Sequence, residues 1–192
     1  MGTRGILMVK SNGEYKVAQY SQFDNYPSGQ GFETIIFINQ PDFDIGLFKE
    51  KVDNLTQWTS EEIGDYADIG SGIFNLIYND KVKKVISSIN FVKNSLFCEW
   101  GWCINLDTNC LDCFKGLQTE SLEGNQPFHY LQSNMVENPI YYPIKLICSI
   151  PFDKLSEFNN GKYFEYYIDE IISFGEKTIM DNGIPRNWNS EV

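Results

Sequence analysis

Between Trp100 and Lys115 the residue order admits little besides a strand pair. Trp100, Trp102, Ile104 and Leu106 alternate with Gly101, Cys103 and Asn105, which is the two-residue period of a strand whose two faces differ. Asp107-Thr108-Asn109 supplies turn chemistry, and Cys110 to Lys115 runs back beside the first strand. This is the clearest hairpin in the chain, within a return to β structure from Leu96 to Lys115.

A second hairpin is expected at the N-terminus. Gly5 to Val9 and Tyr15 to Tyr20 read as strands around Ser11-Asn12-Gly13-Glu14, where Asn and Gly both tolerate positive φ. The central third reads mostly as helix. Phe32 to Ile38 fits either a helix opened by Gly31 or a buried strand, with Pro41 ending it. Leu47, Phe48, Val52 and Leu55 share a helical stripe between Asp44 and Leu55. Thr59 with Glu62 matches a capping box, Asp68 to Tyr78 reads as helical, and Val82, Val85, Ile86 and Ile89 repeat at helical spacing. Gln118 to Tyr142 is polar and aperiodic, a length of loop often tied to function. Pro143 to Ile150 reads as a strand, Pro151-Phe152-Asp153 opens a short helix, and Tyr163 to Met180 reads as a final helix. The order implies an α+β fold, with antiparallel hairpins forming a sheet packed against several helices in one domain over residues 1–192.

The charge balance narrows the partners. A net charge of −11 weighs against binding duplex nucleic acid, which rests on Lys and Arg neutralising phosphates. Arg4, Lys10 and Lys16 can still form a local basic pocket, and an acidic surface also suits a basic protein partner. No apolar run reaches the length of a membrane span. The opening Met1-Gly2-Thr3-Arg4-Gly5 lacks a secretory h-region, and Ile6 stands where a myristoylation signal wants Ser or Thr, so a cytoplasmic location is expected. Five cysteines with a sizeable core read as reduced thiols.

The stretch from Gln19 to Gly31 draws attention for a different reason. It sets Phe23 and Tyr26, the carboxylate of Asp24, Pro27, and two glycines directly after a strand. Proline fixes φ, while Gly29 and Gly31 permit close backbone approach. Such a loop can present backbone N–H groups, hydroxyls and amides in one array. The plain alternative is a tight turn whose aromatics anchor it to the core. Because the first strand of an antiparallel hairpin starts where the second ends, Thr3, Arg4, Gln22, Asp24, Tyr26 and the Ser28, Gly29, Gln30 and Gly31 backbone are expected to line one pocket. Arg4 is its anion partner, since a guanidinium grips phosphate through two hydrogen bonds. Glu99 joins the candidates at the adjoining sheet edge, where it and Asp24 could pair as carboxylates.

Other chemistry finds less support. Cys110 and Cys113 have the spacing of half a zinc site, but residues three apart on a strand face opposite ways, and His129 is the only imidazole. No metal or cofactor is expected. Ser28 could act as a nucleophile only if His129 and Asp24 folded to it, and no G-x-S-x-G elbow occurs. Gly29-Gln30-Gly31 matches neither the dinucleotide fingerprint nor a P-loop, although a helix N-terminus can bind an anion without a named motif. Thr3 follows Gly2, so methionine removal would not leave it as an N-terminal nucleophile.

Thr3-Arg4-Gly5 together with Phe23-Asp24-Asn25-Tyr26-Pro27-Ser28-Gly29-Gln30-Gly31 resembles a loose group of small phage and bacterial proteins. These have an N-terminal Thr-Arg-Gly or Thr-Arg-Ser, a β-hairpin, and a Trp-Asp-Gly-Tyr-Pro-x-Gly-x-Gly loop. Phe23 stands here for the Trp and Asn25 for the first Gly. Cys98-Glu99-Trp100 and Ile104-Asn105-Leu106-Asp107 are similar to a second shared segment. The group carries no assigned activity, so the resemblance transfers no catalytic residue. A phage setting implies an accessory protein that counters host defence in the host cytoplasm, by sequestering a small phosphorylated ligand such as a nucleotide signal. The alternatives are direct inhibition of a host defence protein, or a small hydrolase using Asp24, Ser28 and Glu99. Self-association is left open.

Overall fold

The computed structural model describes residues 2–57, 72–135 and 139–174. Strands β1 (Gly5–Ser11) and β2 (Glu14–Ser21) form the first hairpin. Asn12 and Gly13 turn it with φ of 54° and 78°, as two left-handed central residues require. The Asp107 carboxylate caps this turn, accepting from the N–H groups of Asn12 at 2.7 Å and Gly13 at 2.9 Å.

The hairpin is followed by α1 (Phe32–Ile38), α2 (Ile45–Asp53), the two-residue strand β3 (Thr56–Gln57), α3 (Gly72–Tyr78) and β4 (Lys84–Val85). Asp44 caps α2, its side chain accepting from the Leu47 N–H at 2.8 Å. The long connection lets β5 (Trp100–Asn105) enter beside β1 in parallel, since parallel neighbours need a crossover rather than a turn. Strands β6 (Cys110–Lys115) and β7 (Lys145–Pro151) then add antiparallel neighbours, giving a five-stranded sheet in the order β2-β1-β5-β6-β7. The chain closes on α4 (Gly161–Phe174). A mixed, mostly antiparallel sheet with helices is the α+β architecture expected from the sequence.

Strand alternation divides the core in two. Leu7, Val9, Val17, Trp100, Trp102, Ile104, Leu111 and Cys113 meet Ile35 and Phe37 of α1, Phe48 of α2, Phe74 of α3 and Phe164 of α4. Ile6, Met8, Ala18, Cys103 and Phe114 on the other face meet Val92, Leu122, Phe128, Leu131 and Ile144, which come from coil and from 3-10 turns at Ile89–Lys93 and His129–Asn134. One face is thus covered by helices and the other by irregular chain.

One expected helix is corrected. Val82, Val85, Ile86 and Ile89 repeat at helical spacing, yet Lys84–Val85 pairs with Thr56–Gln57 as a strand, and Ser88 donates to the Ala18 carbonyl at 2.7 Å. Sheet-edge hydrogen bonds won over local periodicity. The Thr59–Glu62 cap and the extension of the last helix beyond Phe174 lie outside the described residues. No helix among the described residues is long and apolar enough to cross a membrane.

Trp102 joins the layers, stacking on Trp100 with centroids 5.5 Å apart and meeting Phe164 of α4 at 5.7 Å. Trp102→Ala is expected to lower unfolding free energy by about 3–5 kcal/mol through cavity formation. Trp102→Phe, which keeps a ring but loses the indole donor, should cost less. Urea unfolding followed by far-UV circular dichroism measures both.

Candidate functional site

The starts of β1 and β5 and the ends of β2 and β6 meet at one end of the sheet, because Gly5 is level with Ser21 and Trp100, and Trp100 with Lys115. The loop from Gln22 to Gly31 folds over this end. Its organiser is Asn25, which is fully buried. The Asn25 Nδ2 lies within hydrogen-bond distance of the carbonyls of Thr3 (2.9 Å), Ser21 (3.0 Å) and Phe23 (3.0 Å) and of the Ser21 hydroxyl (3.1 Å). The Asn25 carbonyl accepts from Trp102 Nε1 at 3.1 Å. Its Oδ1 is aimed at Gly5, where a Cβ would sit 2.6 Å away.

Two close approaches explain the glycines. A Cβ on Gly31 would fall 2.8 Å from the Trp102 ring, and one on Gly29 would fall 2.2 Å from the Asp24 carbonyl oxygen. Pro27–Gly31 makes one wide π-type turn that leads into α1. Asp24 takes φ 53°, a conformation open to Asp and Asn at modest cost.

The aromatics do not anchor this loop. Phe23 is 55% and Tyr26 48% exposed, and the anchoring falls to Asn25 and the buried Pro27. Nor do the three backbone N–H groups of the glycine turn form an open array. Gly29 and Gly31 donate to the Tyr26 carbonyl at 3.0 and 3.3 Å, and Gln30 donates to the Asp24 carbonyl at 2.7 Å. A five-residue turn that must enter a helix consumes its own donors.

Thr3 is buried, with its carbonyl bound by Asn25. Arg4 is half-buried, its guanidinium 4.6 Å from the Phe97 centroid. The Arg4 Nε is buried and has no hydrogen-bond partner. Its backbone N–H donates to the Glu99 carboxylate at 3.3 Å, and Glu99 N–H returns to the Arg4 carbonyl at 3.0 Å. Gln22, Asp24 and Tyr26 are exposed, while Ser28 and Gln30 are half-buried. Ser28 backs onto Gly161 of α4, where a Cβ would meet its carbonyl oxygen at 2.7 Å. His129 follows Phe128, which belongs to the opposite face of the sheet, so the considered Ser28–His129 partnership is not assembled.

Lys115 and Phe97 were not anticipated at this end. Lys115 Nζ sits 4.0 Å from the Trp100 centroid. Burial pushes its ammonium below the usual lysine range, opposed by Glu99 and Asp169. Burial and Glu165 raise the Asp169 carboxyl in turn, with Lys115 opposing. The hairpin register was the available signal, since a four-residue connection from Leu106 to Asn109 pairs Asn105 with Cys110 and so sets Lys115 opposite Trp100.

Cys113 belongs to the helix-side core and Cys110, three residues earlier on the same strand, faces the other way. No group of three or more His, Cys, Asp and Glu side chains suited to a metal occurs among the described residues. No family model matches the chain, and neither a curated protein nor a solved structure matches it.

Two outcomes follow from this geometry. Asn25→Asp exchanges a donor amide for a carboxylate among carbonyl oxygens and is expected to cost about 3 kcal/mol or more at pH 7. Burial raises the new carboxyl's folded pKa above its unfolded value of about 3.9, so the loss should be full above the folded pKa and shrink as pH falls through it. Chemical unfolding at pH 4 and pH 7 reads this. Cys110 is the one partly exposed cysteine, and burial raises its thiol. Native protein should therefore release one equivalent of thiol slowly to a disulfide reagent at pH 8, and five in denaturant.

Proposed function

We propose that the chain binds and holds a small phosphorylated ligand, of the nucleotide-signal class, at the sheet end built from Arg4, Phe97 and the Gln22–Gly31 loop. In this reading it is a phage-type accessory protein that counters host defence by sequestration rather than by turnover. The observation that carries the reading is the Arg4 guanidinium, clamped on Phe97 with a buried Nε–H that has no partner. An unsatisfied donor on a charged group is costly, and a guanidinium held on a ring can grip an anion through two parallel hydrogen bonds from its terminal N–H groups. Phe23 and Tyr26 stand exposed on the same loop as faces for a base, each such stack contributing about 1–3 kcal/mol. The chain's net charge of −11 repels anions at long range, so recognition must rest on contacts like these.

A second reading has its own observation. Leu96, Phe97 and Leu117 are also exposed beside Arg4, and with Phe23 and Tyr26 they give this end an apolar character suited to a host defence protein.

Thermal melting with a panel of nucleoside mono-, di- and triphosphates and cyclic dinucleotides separates the two. One member should raise the melting temperature and be recovered intact after denaturation. Arg4→Gln should abolish that shift while leaving the unliganded melting temperature equal or higher, because it removes an unpartnered buried donor. A fall in the unliganded melting temperature would mark Arg4 as structural. Recovery of a cleaved ligand would turn attention to Asp24, Ser28 and Glu99 as hydrolytic groups, and no shift across the panel would favour the protein partner.

A further inference from the structure

The opposite end of the sheet carries a second concavity, remote from Arg4. It is a pocket of about 630 Å³ between the β1–β2 hairpin and the chain around Pro127, walled by Lys10, Tyr15, Ile89, Asn125, Pro127 and Tyr130. A β-bulge creates it. The β1–β2 register passes from Val9 opposite Val17 to Lys10 opposite Tyr15, leaving Lys16 as the extra residue. An unbroken register would set Lys10 against Lys16 and send Tyr15 to the helix-covered face beside Ser11. The bulge instead brings Tyr15 to the face of Met8 and Cys103, where its ring lies 5.2 Å from Phe128 and the Lys10 Nζ stands 5.8 Å from its centroid.

The bulge also sorts the charges. Lys16, pushed outward, pairs with Glu14 at the pocket rim, so that carboxylate is already occupied. The nearest buried carboxylate, Asp112, accepts from Asn105 at 2.7 Å and from the Ser149 hydroxyl at 2.6 Å. Among the described residues Lys10 forms no ion pair. The pocket therefore offers one uncompensated ammonium, the Asn125 amide, and a phenol that burial and its neighbours Cys103, Asp112 and Tyr130 keep neutral and able to donate. Its remaining walls are Tyr130, Pro127 and Ile89, with Gly13 and Glu14 of the hairpin turn.

We infer that this pocket binds a small aromatic monocarboxylate, with the ring among Tyr15, Pro127 and Tyr130 and the carboxylate on Lys10. One free cation flanked by two occupied carboxylates suits a single negative charge and opposes a dianion. This site is independent of the one around Arg4, and neither requires the other.

Ligand-observed NMR titration of the whole chain with benzoate, its neutral isostere benzamide and the dianion phenyl phosphate tests the inference. Benzoate should saturate at or below about 1 mM, with benzamide and phenyl phosphate each weaker by about tenfold. Lys10→Met should weaken benzoate about tenfold and leave benzamide unchanged, and Tyr15→Phe should weaken benzoate severalfold. Arg4→Gln should have no effect on benzoate. Equal binding of benzoate and benzamide by the unmodified chain would overturn the inference without recourse to any variant. A preference for phenyl phosphate, an unchanged benzoate affinity in a folded Lys10→Met chain, or no saturation by benzoate at about 10 mM would do the same.

Discussion

The Trp102 indole is the contact on which the remainder of this structure depends. It is fully buried on a central strand, flat against Trp100, beside Phe164 of α4, and in a space that only a glycine at position 31 leaves open. Its one polar atom donates to the carbonyl of Asn25, the residue that gathers the carbonyls of Thr3, Ser21 and Phe23. Sheet, loop and last helix therefore share a single desolvated junction. Moving the loop would expose an indole N–H and several carbonyls together, and buried polar groups left unpaired are among the larger costs a fold can incur.

The parallel pairing of β1 with β5 decides what chemistry gathers at each end. It places the start of β1, with Thr3 and Arg4, beside the approach to β5, with Phe97 and Glu99. An antiparallel β5 would have brought the Asp107 turn to the Arg4 end of β1. In the observed arrangement Asp107 instead caps the backbone of the Asn12–Gly13 turn at the far end. A chain with 26 acidic and 15 basic side chains thus keeps Arg4 and Lys10 free of ion pairs among its described residues, one at each end of the same strand. Local strand direction sets which cationic side chain stands at each end of β1.

What was legible in the sequence followed from short-range physics. The Trp100–Leu106 alternation, the Asn12–Gly13 turn and the Phe48–Val52 spacing each declare a period or a φ that needs no distant partner, although Leu47, read on the same stripe, is exposed. The 82–89 segment misled because its periodicity is local while its hydrogen bonds run to Thr56, Gln57 and Ala18. The loop from Gln19 to Gly31 stands out in the sequence, where its plain alternative reading is a turn anchored by Phe23 and Tyr26. Asn25 carries the anchoring instead, a role invisible until the Thr3 and Ser21 carbonyls converge. The bulge at Lys16 was equally hidden, since Tyr15 and Val17 look alike in an unbroken alternation and only the paired strand reveals the extra residue.

The same bonds that hide the loop's role define its energetic state. Because Gly29, Gln30 and Gly31 satisfy their N–H groups within the turn, and the Asn25 amide donates among the carbonyls of Thr3, Ser21 and Phe23, the loop holds its shape without an occupant. A ligand arriving at such a surface does not have to order backbone, so more of its contact energy is retained as affinity. The selectivity of that surface would then lie in side chains alone: a guanidinium fixed by Phe97, a lysine fixed over Trp100, and two exposed rings on a rigid rim. Fixed donors of this kind discriminate by geometry, since a guanidinium unable to turn accepts a planar or tetrahedral anion from one direction only.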